Sequence, residues 1–298
     1  MRAEPKAQNI LLKRGSKKMI RRLLSRFANR NDTPLCAPDS PEFAHAATPE
    51  GTRLIGVGDI HGHLDLLLDL MDKLERECRR SPARTHLIFL GDYIDRGPAS
   101  AEVIKRLAGL APDWATPHFL RGNHEQCLID ILSGAAPDDT LAAWLDYGGR
   151  ETLASYSLGG PLLYSGDLSA IREAVRQAIP APHRRFVEAT LPCLRFGDYL
   201  FAHAGIRPGV ALEAQSADDL LWIREPFLSS QEDFGAVVVH GHTITPTPEN
   251  HGNRIGIDTG VYRHGVLTAV ILEGTSRRFV AAQASAVEAA QHAHQMGG

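Results

Sequence analysis

Five short runs rich in Ile, Val, Leu or Phe punctuate this chain, over residues 53–57, 86–90, 118–120, 199–202 and 236–239. Each gives way to glycine beside Asp, His or Asn: Gly58-Asp59-Ile60-His61-Gly62, Gly91-Asp92-Tyr93-Ile94-Asp95-Arg96-Gly97, Gly122-Asn123-His124-Glu125, His203-Ala204-Gly205 and His240-Gly241-His242. Runs this short and this apolar predict strands buried on both faces. After the first, Leu64, Leu67, Leu68, Met71 and Leu74 recur at helical spacing and predict the inner face of a helix. A second helix is predicted over 99–110, so the chain from Thr52 reads β-α-β. Residues 128–194 lack a strand ladder, and helical patterning over 139–156 and 168–191 predicts a helical insertion above the active face. Strands resume over 254–257 and 266–272, and no internal repeat of solenoid type is present.

These patterns divide the chain into a basic extension and linker (1–51), an α/β domain (52–274) and a C-terminal tail (275–298), whose His292 and His294 read as solvent residues. The net charge of -3 conceals an asymmetry, because residues 1–32 hold ten Lys/Arg against Glu4 and Asp32, a net of +8. Over 13–30 the basic residues flank an apolar stripe at Met19, Ile20, Leu23, Leu24 and Phe27. Such a stripe suits a solubilising arm or contact with an anionic membrane surface. No specific nucleic-acid partner is expected, and Met19 is an alternative start. No apolar stretch is long enough to span a bilayer, and no secretory signal is visible. Cys36, Cys78, Cys127 and Cys193 form no C-x-x-C pair, which predicts reduced thiols and a cytoplasmic location. Cys78 and Arg84 have the C-x5-R spacing of a cysteine-phosphatase loop, but no glycine lies between them and no strand precedes them.

The polar residues that end the strands carry the chemistry. Hard oxygen donors mixed with imidazoles suit Mn, Fe or Zn, and two such ions can activate water and clamp a phosphoryl group. Asp59 and His61 stand two apart on one turn and can face one ion together. Asp92, ending the next strand, is the natural bridge, and Asn123, His203 and His242 can complete a second ion. A lone strand-end Asp is usually a helix cap, but six such residues at five strand ends are hard to explain as capping.

The ordered set resembles the calcineurin-like metallophosphoesterase superfamily, and within it the PPP-type serine/threonine phosphatases of bacteria and phages, over roughly residues 52–274. The resemblance implies a four-layer α/β sandwich, two central mixed sheets flanked by helices, with a dimetal site at one sheet edge. It implies Asp59, His61 and Asp92 on the first ion and Asp92, Asn123, His203 and His242 on the second, Mn serving in vitro and Fe or Zn natively. His240 has no matching ligand role. It further implies that Arg96 binds substrate phosphate and that Asp95 orients His124, which protonates the leaving oxygen. Asn123 also faces the phosphate, and Arg224, in a segment resembling the phage-type W-x-R-E, holds it too. The implied reaction is direct attack by a hydroxide bridging the ions, without a phosphoenzyme. The expected substrates are phosphoserine, phosphothreonine or phosphotyrosine in proteins, or a phosphorylated small molecule.

Two alternatives remain open. Symmetrical dinucleoside polyphosphate hydrolases share the fold, but their motifs commonly read G-D-L-V-A-R-G and G-N-H-D, where this chain has Asp95 and Glu125. A catalytically silent phosphate-binding protein would be expected to lack a ligand, and all six are present. Trp144 and Tyr147 are candidates both for the substrate entrance and for the core of the helical cap.

Overall fold

A computed structural model describes residues 45–80 and 83–284. The basic segment 13–30, Met19, the linker up to residue 44, and His292 and His294 lie outside the described residues. Strand β1 (Thr52–Val57) is buried along its whole length. It pairs in parallel with β2 (Arg84–Phe89), which pairs in parallel with β3 (Thr116–Phe119). On its other side β1 runs antiparallel to β9 (Val266–Glu273), and β10 (Ser276–Gln283) closes the edge. The second sheet has the order β4 (Cys193–Phe196), β5 (Tyr199–Ala202), β6 (Val237–His240), β8 (Arg254–Gly256), β7 (Glu249–Asn250). Its middle pairs, β5–β6 and β6–β8, are parallel. Both sheets are therefore mixed.

The strand period of two sorts side chains between the layers. Leu54, Ile88, Val270 and Leu272 of the first sheet pack with Tyr199, Phe201, Val237, Val239 and Ile255 of the second in one buried cluster. Gly56 lets the sheets approach, since a Cβ there would stand 3.3 Å from Phe201, Val239 and Val270. Each large apolar side chain so buried contributes roughly 1.5–3 kcal/mol. Helix α1 (Leu64–Cys78) covers the other face of the first sheet, against β9 and β10. On the far side of the second sheet, Leu200, Ala202 and Val238 pack with Leu220 of the short helix α9 (Ala217–Trp222), Ile223 and Phe227.

The helical segment comprises α2 (Ser100–Ala108), between β2 and β3, and then six helices after β3. These are α3 (Asn123–Ser133), α4 (Asp138–Trp144), α5 (Arg150–Ser155), α6 (Gly160–Leu163), α7 (Leu168–Ala178) and α8 (Ala181–Glu188). Helix α2 packs on α5 and α8, and α3 packs on α4, α7 and α8. Among the described residues no helix is long and apolar enough to cross a membrane.

Three sequence expectations shift. The buried stripe of α1 is Leu66, Leu67, Leu70, Met71, Leu74 and Cys78, while Leu68 is 42% exposed and Leu64 only half-buried. Four leucines in five positions from Leu64 leave the helical phase ambiguous until the sheet fixes it. Residue 128 is no boundary but lies inside α3, which starts at Asn123 because extended Gly122 and the Glu125 side chain cap it. The expected tail from 275 holds a paired strand, β10, whose exposed Arg278 and half-buried Arg277 break the apolar pattern as edge strands commonly do.

Candidate metal centre

Parallel pairing delivers the polar turns to one edge. The turn after β1 is sewn to the turn after β2: Ile60 and His61 N–H donate to the Asp92 carbonyl at 3.1 and 2.8 Å, and Gly62 N–H to that of Tyr93 at 2.9 Å. In the second sheet Gly241 N–H donates to the His203 carbonyl at 2.8 Å. Glu125 secures the crossing, its carboxylate accepting from the N–H groups of Asp92, Tyr93, Ile94 and Gly122 at 2.8–3.3 Å. Five residues here, His61, Asp92, Asp95, Arg96 and His242, hold φ between 43° and 73°. Among described non-glycine residues only Ser157 joins them. Left-handed backbone costs energy in L-residues and persists where surrounding structure enforces it. A Cβ at Gly241 or Gly122 would collide with the carboxylates of Asp59 and Asp92 respectively, so both positions require glycine.

Asp92 stands at the centre. Its Oδ1 lies 3.4 Å from His203 Nε2, and its Oδ2 lies 3.6 Å from His61 Nε2 and 3.8 Å from His124 Nε2. Asn123 Oδ1 is 2.8 Å from His203 Nε2 and 2.9 Å from His242 Nδ1. Ligand-capable atoms of Asp92, His203 and His242 lie within 4.8 Å of one another, as do those of His61, Asp92 and His124. Asp59 accepts from His242 N–H through Oδ2 at 3.0 Å, and its Oδ1 is buried without a partner. Thus all six residues expected as ligands gather at one edge, with Asp59 beside rather than within the two tight clusters. His240 is buried nearby, and its Nδ1 faces the Gly241 carbonyl at 3.1 Å.

The electrostatics fit divalent cations. Burial drives the His61 pKa down to about 3 and lowers those of His203 and His242, so these imidazoles are neutral donors. Burial, with neighbouring carboxylates, raises Asp59 well above the usual range, Asp258 to about 7 and Glu125 to about 8. Of the acids in this group only Asp92 is lowered: burial would raise it, but His203, His124 and His61 outweigh that. A buried group of four acids beside neutral imidazoles is short of positive charge, which bound divalent ions would provide.

His124 differs from the other imidazoles. Burial opposes its charge, but Asp92 and Asp95 prevail and raise its pKa above 6.5. Its Nδ1 meets Asp95 Oδ2 at 2.5 Å. The Arg96 guanidinium lies over the rings of Tyr147 and Tyr262, 5.5 and 5.0 Å from their centroids. Arg224, partly buried after α9, interacts electrostatically with Asp258, Tyr262 and Asp92, so it faces the same edge.

Several contributors escaped the sequence reading. Asp258, in Gly256-Ile257-Asp258-Thr259-Gly260, ends β8 as a sixth strand-end segment of the same grammar, and that repetition was the available signal. Glu125 marks only the motif in sequence, whereas in space it ties two turns together. Trp144 resolves as core: its ring is buried and Nε1–H donates to Asp95 Oδ2 at 2.7 Å. Tyr147 instead lies against Arg96.

A family model described as calcineurin-like phosphoesterase matches residues 52–265. Serine/threonine-protein phosphatase 1 of Salmonella typhimurium is 32% identical over 217 residues, 71% of this chain and 88% of that protein. The asymmetrical bis(5'-nucleosyl)-tetraphosphatase PrpE of Halalkalibacterium halodurans is 28% identical over 236 residues, 72% of this chain and 87% of that protein. A solved structure provisionally described as a diadenosine tetraphosphatase superposes with a TM-score of 0.56 at 21% identity, covering 79% of this chain and 98% of that one. With two mixed sheets flanked by helices and, at their edge, His and Asp groups that could hold metal ions, the chain belongs to the calcineurin-like phosphoesterase family and is a hydrolase of the metallophosphoesterase type.

Proposed function

We propose that this protein hydrolyses phosphomonoesters, with phosphoserine, phosphothreonine or phosphotyrosine side chains of proteins as its substrate class. Asp59, His61 and Asp92 would hold one divalent ion, and Asp92, Asn123, His203 and His242 a second. Such ions would supply Lewis acidity, rendering water nucleophilic near neutral pH and drawing charge from the phosphoryl oxygens. Arg96 and Arg224 offer guanidinium forks to those oxygens, a better match to a tetrahedral dianion than an ammonium. Asn123 adds its amide on the same side. His124, held through Nδ1 by Asp95, has its Nε2 3.8 Å from Asp92 Oδ2 at the same edge, where it would give a proton to the departing oxygen.

The observation that carries this reading is the Asp95–His124 pair, 2.5 Å apart with the imidazole pKa raised. A built-in proton donor serves an alkoxide or phenoxide leaving group, which departs poorly as an anion. A nucleotide phosphate leaves readily without one. The second reading, dinucleoside polyphosphate hydrolysis, is favoured by the name of the Halalkalibacterium halodurans relative. The cytoplasm is the proposed setting, consistent with Cys78, Cys127 and Cys193 lying outside any disulfide.

A competition assay at matched metal tests the substrate class. Phosphopeptides are expected to show higher kcat/KM than diadenosine tetraphosphate, with phosphodiesters poorest because they lack a free oxygen for an arginine. Preferential consumption of the dinucleotide would overturn the assignment in favour of the second reading.

A further inference from the structure

Asp95 is fully buried, and its carboxylate accepts hydrogen bonds from three side chains. His124 Nδ1–H and Trp144 Nε1–H donate to Oδ2 at 2.5 and 2.7 Å, and the Thr152 hydroxyl donates to Oδ1 at 2.6 Å. Thr152 Oγ1 in turn accepts from Asp95 N–H at 2.8 Å, gripping the residue at both ends. Trp144 is the last residue of α4 and Thr152 lies in α5; both are buried, at 1% and 0% exposure. Neither belongs to a strand-end turn.

The backbone between them is shaped to the same dipeptide. The helix breaks at Tyr147 and at Gly148, which has φ 114°. The Gly148 carbonyl accepts from Arg96 N–H at 3.3 Å. A Cβ on Gly148 would stand 3.0 Å from that of Asp95 and 2.9 Å from Arg96 Cδ, so the break sits directly on Asp95-Arg96. Both of those residues hold left-handed backbone, at φ 72° and 73°.

A buried carboxylate with one imidazole partner can turn about its Cβ–Cγ bond and carry the imidazole with it. Two further donors from neutral groups fix the carboxylate plane and disperse its charge without offering a proton of their own strength. We infer that Trp144 and Thr152 are positioning residues for hydrolysis: they lock Asp95 so that His124 keeps Nε2 aimed at the leaving oxygen. The helical segment is then part of the proton-delivery apparatus and not only a cover. The inference rests on the proposed role of His124 as proton donor.

The test uses the metal-loaded full chain and two probes: phenyl phosphate, whose leaving group needs a proton, and p-nitrophenyl phosphate, whose leaving group departs as an anion. Thr152→Val and Trp144→Phe are expected to lower kcat on phenyl phosphate by ~10–100-fold, with KM and metal content unchanged and a much smaller loss on the nitro compound. Thr152→Ser, which keeps the hydroxyl, restores kcat. In a His124→Asn background the Thr152→Val loss disappears. Equal losses on both probes, no loss at all, or a loss that persists without His124 would each overturn the inference. If Trp144→Phe fails to fold, the Thr152 pair decides. His124→Asn alone separates the two claims. If it lacks the leaving-group dependence, the proton-donor reading fails and the positioning role falls with it. If it shows that dependence and Thr152→Val does not, only the positioning role falls.

Discussion

The strand-end turns and the helical segment build one site by opposite means. The turns present their side chains directly, on left-handed residues clamped by neighbouring backbone: Asp92 and His61 share hydrogen bonds across β1 and β2, and His242 is tied to Asp59. Beyond the first turn of α3, which carries Asn123 and His124, the helical segment presents little to the candidate metal cluster. It works through packing, Trp144 and Thr152 reaching Asp95 from 49 and 57 residues away in sequence. A turn that must hold a ligand is locally constrained, and its constraint is written beside it as glycine. A helix that steadies another residue needs only the right side chain at the right place, and its mark is fainter: the break at Gly148 that sits on Asp95-Arg96.

The sharpest way to break this contrast is to remove charge from the turns. Asp92→Asn takes away the anion that three imidazoles surround. It should reduce bound metal and lower turnover by at least ~10³-fold. Elemental analysis of the purified variant, alongside activity, checks both halves. His124→Asn should also cost ~10²–10⁴-fold in turnover, typical of a lost general acid, but with metal content unchanged. If His124→Asn loses its metal, the division between ligands and proton donor collapses, a result the closeness of His124 Nε2 to Asp92 makes worth seeking.

Smaller effects sharpen the contrast. Arg224→Ala or Arg96→Ala should lower kcat/KM on monoesters by ~10–100-fold through loss of charge-assisted hydrogen bonds, again without metal loss. Glu125→Gln tests the crossing of the turns. An amide nitrogen would face two of the four backbone donors that the carboxylate now satisfies, costing about 1–3 kcal/mol of stability, readable as a lowered melting midpoint. A comparable loss from an exposed helical position such as Glu151 would remove any special standing of that crossing.

How much was legible follows the same division. The expected ligands were visible because glycine beside Asp, His or Asn after an apolar run is a local signal, and the structure gathers them at one edge. The runs themselves predict only strands and a β-α-β order; the two-sheet frame was implied by the family resemblance alone, because pairing between distant strands leaves no local mark. Asp258 obeys the same rule, but with no His or Asn beside it the segment is indistinguishable in sequence from an ordinary turn. Strand β10 was hidden by Arg277 and Arg278, which suit a sheet edge and obscure its alternation. Leu68 was misassigned because consecutive leucines do not declare a helical phase. For Trp144 the sequence left substrate entrance and cap core open and gave no sign of its partner, since Asp95 approaches it only in the folded chain.

The central claim, metal-dependent hydrolysis of phosphomonoesters, is tested most directly by stripping and restoring the metal. Chelator-treated protein, its metal loss verified by elemental analysis, should have little turnover on p-nitrophenyl phosphate. Turnover should return with Mn(II) as the protein takes up two ions per chain, because carboxylates, neutral imidazoles and one amide form the donor set. Undiminished turnover in the stripped protein would contradict the account.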